Sequence, residues 1–202
     1  MELKWMTKWF PYLYDVAMKP LEKTRFEKIR STLVHKAYGQ VLEIGFGTGA
    51  NFPYYVHTTR VDAIEPNPQM SKQAATRIKK AQSSIHTHQA KAEQLPFEEN
   101  RFDSVVATLV FCTIPDPERA LQEIRRTAKP GASVLFFEHV KINQKLVAKA
   151  QQALTPVWKK ICDGCHLDRD TLLLIKNSGL EMTNVTSHYG GLFLTIECQN
   201  PN

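Results

Sequence analysis

From residue 40 onward, short apolar runs alternate with longer stretches in which apolar residues recur every three or four positions. The short runs are QVLEIG (40–45), RVDAIE (60–65), SIHTHQA (84–90), FDSVVATL (102–109), ASVLFFEHV (132–140), LEMTNVTS (180–187) and LFLTIEC (192–198). Their β-branched and aromatic content predicts seven strands. The stretches between them carry helix punctuation. Asn67-Pro68 supplies a cap and a first-turn proline for a helix through Lys80, Asp116-Pro117 does the same for ERALQEIRR, and Lys129-Pro130-Gly131 stops the latter. Asp168 is a candidate cap for a helix ending at Asn177-Ser178, with Gly179 suited to the left-handed closing position. Before Gly39 the chain reads as helix, with Leu21, Phe26, Ile29 and Leu33 near helical spacing, and should cover one edge of the sheet. Alternating strands and helices predict an α/β fold whose sheet is mostly parallel. Only His188-Tyr189-Gly190-Gly191 separates the last two strands, too little for a parallel crossover, so the final strand is antiparallel.

Composition sets the scale. At 202 residues and 43% hydrophobic, the chain suits one well-buried core. The net charge of +6 is uneven: residues 1–40 hold eight Lys or Arg against four acids, and VKINQKLVAKAQQALTPVWKKI (140–161) holds five Lys and no acid. Both segments read as solvated helix faces, with an anionic partner or membrane surface as the alternative. No nucleic-acid signature is present, so no nucleic-acid partner is expected. No apolar run approaches the roughly 18 residues of a membrane span, and the start lacks a signal-peptide pattern, which points to the cytoplasm. Cys162-Asp163-Gly164-Cys165 spells C-x-x-C. A zinc site would want a second pair and a redox motif a preceding strand, so no metal is expected.

The chemistry concentrates in VLEIGFGTGANF (41–52). Gly45, Gly47 and Gly49 follow the first strand, where an open parallel sheet reverses its winding and binds ligands. Bare backbone there permits tight turns and close approach to a ligand. Glu65 ends the second strand, where an acid can hold both hydroxyls of a ribose. The pattern Gly45-x-Gly47-x-x-Ala50 also fits the dinucleotide fingerprint of NAD enzymes. Three features separate the readings: Glu43 faces the loop and suits a cationic amine or sulfonium, the tight Gly-x-Gly-x-Gly spacing favours an amino-acid tail, and the closing antiparallel hairpin is foreign to a dinucleotide fold.

On these residues the chain resembles the class I S-adenosylmethionine-dependent methyltransferases. It matches E-x-G-x-G-x-G at 43–49, an acid at Glu65, A-E-x-L-P-F at 92–97, F-D-x-V at 102–105 and K-P-G at 129–131. LYDVAMKPLE, GTGANFPYY, TLVFCTIPDP, FFEHV and DGCHLDRDT are similar to a bacterial branch related to the methyltransferase-like thiol methyltransferases of animals. The resemblance implies a three-layer Rossmann-like sandwich over residues 38–202, with residues 1–37 as a helical lid. It implies that S-adenosylmethionine is bound and S-adenosylhomocysteine released. The Gly45, Phe46, Gly47, Gly49 and Asn51 segment would cradle the methionine portion beside Glu43. Glu65 would take the ribose, while Pro66, Asn67, Met70, Ala92 and Glu93 would border the adenine. Thr108 and Leu109 would face the methionine amine and reacting methyl. Many relatives carry an acid where Lys91 stands here, which leaves adenine recognition to backbone, water or Glu93.

Methyl transfer from a sulfonium is an in-line displacement that rests on alignment in a dry pocket. A thiol acceptor, a few per cent ionised near neutrality, needs no strong base. The expected acceptor is therefore a small molecule, apolar or thiol-bearing. Substrate-side candidates are Tyr14 in the aromatic start (Trp5, Trp9, Phe10, Tyr12, Tyr14), His139, Asp163 and His166, with Cys112 in a packing role. The alternatives are a phospholipid or quinone methyltransferase at a membrane surface and, from other classes, an NAD-linked reductase or a silent binding protein.

Overall fold

The computed structural model describes residues 26–142, 144–162 and 164–201. Leu21, the aromatic start with Tyr14, and Asp163 lie outside the described residues.

The seven strands are β1 (Gly39–Ile44), β2 (Thr58–Ile64), β3 (Ile85–His88), β4 (Phe102–Thr108), β5 (Ala128–His139), β6 (Glu181–His188) and β7 (Phe193–Gln199). They form one sheet in the order β3-β2-β1-β4-β5-β7-β6. All neighbouring pairs are parallel except the two made by β7. The helices are α1 (Glu27–Val34), α2 (Pro68–Lys80), α3 (Pro117–Thr127), α4 (Lys145–Ile161) and α5 (Thr171–Asn177).

The central strands β1, β2, β4 and β5 are largely apolar because both faces of the sheet are covered there, whereas the edge strand β6 is exposed. Leu42, Ile44, Val105, Ala107 and Phe136 pack with Ala120, Leu121 and Ile124 of α3 and Ile175 of α5. Val41, Val61, Ala63, Val106, Leu135 and Phe137 point the other way, against Leu33 and Val34 of α1 and Ala74 of α2. The result is a three-layer Rossmann-like sandwich. Its winding reverses between β1 and β4, so the loops after these two strands meet at the sheet's carboxyl edge.

Local punctuation acts mostly as the residue types dictate. Asn67 caps α2 by accepting from Gln69 N at 3.0 Å, and Asp116 caps α3 by accepting from Arg119 N at 3.0 Å. Gly179 closes α5 at φ 83°. Two details differ. β5 begins at Ala128, so Lys129-Pro130-Gly131 lies inside it as an irregularity where the register slips between Phe102 and Ser104. The cap of α5 is Asp170, which accepts from Leu173 N at 3.0 Å, and not Asp168. Asp168 instead accepts from the Thr155 hydroxyl at 3.1 Å. The reason is the next residue: Arg169 is drawn to the loop after β4, so the helix starts only beyond it.

Candidate active site

The three glycines after β1 all have left-handed backbone, yet they are bare for different reasons. A Cβ on Gly45 would come within 2.3 Å of Val110 Cγ2, and one on Gly49 within 2.6 Å of the Phe52 ring. Around Gly47 a Cβ would meet nothing within 4 Å. Gly45 and Gly49 are therefore fixed by packing, and Gly47 alone opens onto space that a ligand can enter. Phe46 is buried and packs on Phe52 with ring centroids 5.5 Å apart.

Glu65 organises the rim beside Gly47. One carboxylate oxygen accepts from Gly47 N at 3.0 Å and the other from Asn67 N at 2.9 Å, so the acid ties the glycine loop to the start of α2. Each oxygen has lone pairs beyond these bonds with which to accept a hydroxyl. Pro66 is exposed, Asn67 half-buried and Met70 buried at the same rim. Ala92 is buried beyond β3, and Glu93 accepts from Asp116 N at 3.4 Å. Lys91 is exposed and bridges to Gln94.

Beneath the loop lies a buried polar network. Asn51 Nδ2 donates to Glu43 at 2.9 Å and to Thr108 Oγ1 at 3.1 Å, and the Tyr55 hydroxyl donates to the other Glu43 oxygen at 2.9 Å. Arg30 of α1 donates to Asn51 Oδ1 at 2.8 Å and Thr108 Oγ1 at 2.6 Å. Burial pushes the Glu43 carboxyl up to about 7, against the hydrogen bonds of Tyr55 and Asn51 and the charge of Arg30. Glu43 thus acts on the loop through Asn51. Arg30 and Tyr55 escaped the sequence reading. The signal for Arg30 was its place between Phe26 and Leu33 on the inward face of α1; that for Tyr55 was its position just past the glycine motif.

The loop after β4 forms the other wall. Leu109 holds φ 54°, a left-handed value costly for a branched side chain, and its N–H donates to Phe137 O at 2.7 Å. Glu138, fully buried at the end of β5, accepts from Val110 N at 3.0 Å and Phe111 N at 3.2 Å. Burial pushes its carboxyl to about 7 despite those bonds. Arg169 takes the loop's carbonyls, donating to Phe111 O and, at 2.6 Å, to Ile114 O. His139 Nε2 lies 3.3 Å from Cys165 Sγ, while its Nδ1 is buried without a hydrogen-bond partner among the described residues. His166 N donates to Cys112 O at 2.9 Å, and its ring sits 3.9 Å from Asp168. The structure thus gathers His139, His166, Cys112 and Cys165 around the β4 loop, one wall away from Gly47 and Glu65.

This arrangement can be compared with known proteins. The Methyltransferase domain family matches residues 42–136. The thiol S-methyltransferase TMT1B of Rattus norvegicus is 35% identical over 176 residues, covering 81% of this chain and 71% of the relative. The chain belongs to the S-adenosylmethionine-dependent methyltransferases. A phosphatidylethanolamine N-methyltransferase of Cereibacter sphaeroides is 29% identical over 164 residues, covering 80% of both proteins. The N-methyltransferase NodS from Bradyrhizobium japonicum, solved with S-adenosyl-L-homocysteine, shares the fold at TM-score 0.68 and 21% identity, with 91% of each chain covered. The site of this methyltransferase fits its cofactor: Gly47 leaves the space and Glu65 presents a carboxylate beside it.

Replacing Glu65 by Ala removes a charged acceptor and releases two loop amides. S-adenosylhomocysteine should bind roughly 10- to 100-fold more weakly, as read by calorimetry; unchanged affinity would place the ribose elsewhere. The raised pKa of Glu43 makes a second prediction. The folded state holds that proton more tightly than the unfolded chain, so the stability it contributes is full below pH 4.5 and is lost as pH rises to about 7. Glu43→Gln cannot titrate. Its melting temperature relative to wild type should climb across that window, by at most about 1.4 kcal/mol of stability per pH unit; a pH-independent difference would contradict the shift.

Proposed function

We propose that this methyltransferase methylates the sulfur of a small, apolar thiol. The observation that carries the reading is that both buried carboxylates at the reacting end are already engaged. Glu43 serves Asn51 and Tyr55, and Glu138 serves the Val110 and Phe111 amides. An alcohol or a protonated amine would need a base. A thiol with a pKa of about 8.5 supplies its own anion and loses its proton to water. When bound, S-adenosylmethionine supplies the electrophilic methyl. The protein's part is to align and exclude water: the glycine loop fixes the donor side, and the Leu109–Phe111 wall presents an apolar acceptor side. The thiol S-methyltransferase relatives support this choice. On the same reading His139 and His166 flank the acceptor, and residues 1–37 cover it, α1 already reaching the cofactor loop through Arg30.

A second proposal concerns location, and α4 favours it. No helix among the described residues is long and apolar enough to cross a membrane. Yet α4 is turned inside out: its polar Gln151 and Thr155 are buried, whereas Leu146, Val147, Leu154, Val157 and Trp158 are exposed, Leu146 at 84% and Val157 at 60%. At 100° per residue these five fall within an arc of about 120°. Exposed Lys149 and Lys160 sit beside that arc on one flank. An apolar stripe flanked by lysines on one side suits an anionic membrane surface, where apolar acceptors also partition.

Two measurements test these readings. Labelled methyl should appear in small apolar thiols and not in matched phenols, amines or phosphatidylethanolamine; label confined to the lipid would transfer the reading to the phospholipid alternative. The protein should pellet with anionic vesicles at low salt and lose this with Leu154→Gln and Val157→Gln together, whereas a protein that stays in the supernatant has no such surface.

A further inference from the structure

We propose that Cys112, His139 and Cys165 form a binding site for a thiophilic divalent cation of the zinc class. The three come from separate parts of the chain: the loop after β4, the end of β5, and the turn between α4 and α5. Their ligand atoms nevertheless lie within 4.8 Å of one another, with His139 Nε2 and Cys165 Sγ 3.3 Å apart. Zinc bonds of about 2.3 Å to sulfur and 2.0–2.1 Å to nitrogen place tetrahedral ligand atoms roughly 3.5–3.8 Å apart. Shifts of about an ångström or less would bring the cluster to that spacing. Both thiols are buried and the imidazole is partly so, which shields a soft donor set from water. Two thiolates and a neutral imidazole balance a divalent charge, with the thiol protons released on binding.

The surroundings hold the two loops that carry the thiols. Glu138 grips the amides of the Cys112 loop and Arg169 its carbonyls. His166 N fastens the Cys165 turn to Cys112 O at 2.9 Å, and Cys165 N closes its own turn on Cys162 O at 2.9 Å. Outer contacts of this kind are what orient ligands in metal sites. Cys112 and Cys165 are both free thiols in the structure. Cys162, the other half of C-x-x-C, is half-exposed and outside the cluster. Three protein donors leave one tetrahedral position for an exogenous ligand. A cation of this class would hold an acceptor thiol there as its thiolate, a step that rests on the thiol reading above, whereas the cation site itself does not.

The test uses the full chain, freed of metal under a phosphine reductant and titrated with Co²⁺ as a spectroscopic probe. One equivalent should give tetrahedral ligand-field and thiolate-to-cobalt charge-transfer bands that Zn²⁺ abolishes. Cys112→Ser and Cys165→Ser should each strip charge-transfer intensity, and His139→Ala should weaken Co²⁺ binding by roughly 10-fold or more, with Cys198→Ser without effect. Zn²⁺ should also protect Cys112 and Cys165 of the unaltered protein from alkylation, a readout that does not depend on variants folding. Absence of the bands in reduced wild type, their survival in both cysteine variants, or unprotected thiols would overturn the site. Adding a small thiol to the Co²⁺ protein should shift the charge-transfer bands. Bands that form but do not shift would remove the thiolate step and leave the cation site standing. Absence of methylated thiol with the bands intact would remove the acceptor reading alone.

Discussion

The contact between Gly45 and Val110 is the constraint on which the rest of the site depends. The sheet winds outward in both directions from β1 and β4, so nothing else separates the loops that leave these strands. They can meet only because Gly45 has no side chain; a Cβ would lie 2.3 Å from Val110. With the loops in contact, Gly47 is pushed out to the open side and the β4 loop closes the wall behind it. Glu138 and Arg169 then fasten that wall from the amide and carbonyl sides.

Such fastening uses charge where charge is expensive. Unpaired backbone groups in these buried turns would each cost a few kcal/mol, and charged partners satisfy several at once. Glu138 covers two amides, Arg169 two carbonyls, and Glu65 two amides of different loops. The burial that raises Glu43 and Glu138 to about 7 is the cost of the arrangement, and it falls on residues that position loops. A protein that transfers a methyl by alignment can place its acids in this way because the displacement itself does not require them as bases.

Much of this was legible in the sequence where the signal is local. Strand runs, the caps Asn67 and Asp116, the closing Gly179 and the short His188–Gly191 turn all act within a few residues, and backbone physics fixes them. The glycine loop and Glu65 were legible for the same reason. What escaped depends on distance through the fold. Asp168 looked like a cap until Arg169 found carbonyls in a loop far along the chain. The C-x-x-C pair lacked a second pair in sequence, and only its Cys165 joins Cys112 and His139, brought together by the ends of β4 and β5. Arg30 read as one residue of an amphipathic helix, although its side chain ends in the network under the glycines.

Arg30 also links the parts of the molecule that must act in order. It comes from α1, before the sheet, and bonds to both Asn51 of the β1 loop and Thr108 of β4. Displacing α1 would therefore take the Arg30 bond from a buried amide oxygen and from a buried hydroxyl that keeps only Asn51 as donor, and leave a buried guanidinium without these partners, a combination costing several kcal/mol. α1 is thus tied to the network beneath the glycine loop. Any movement of α1 is thereby coupled to the geometry of the glycine loop, and order in one requires order in the other.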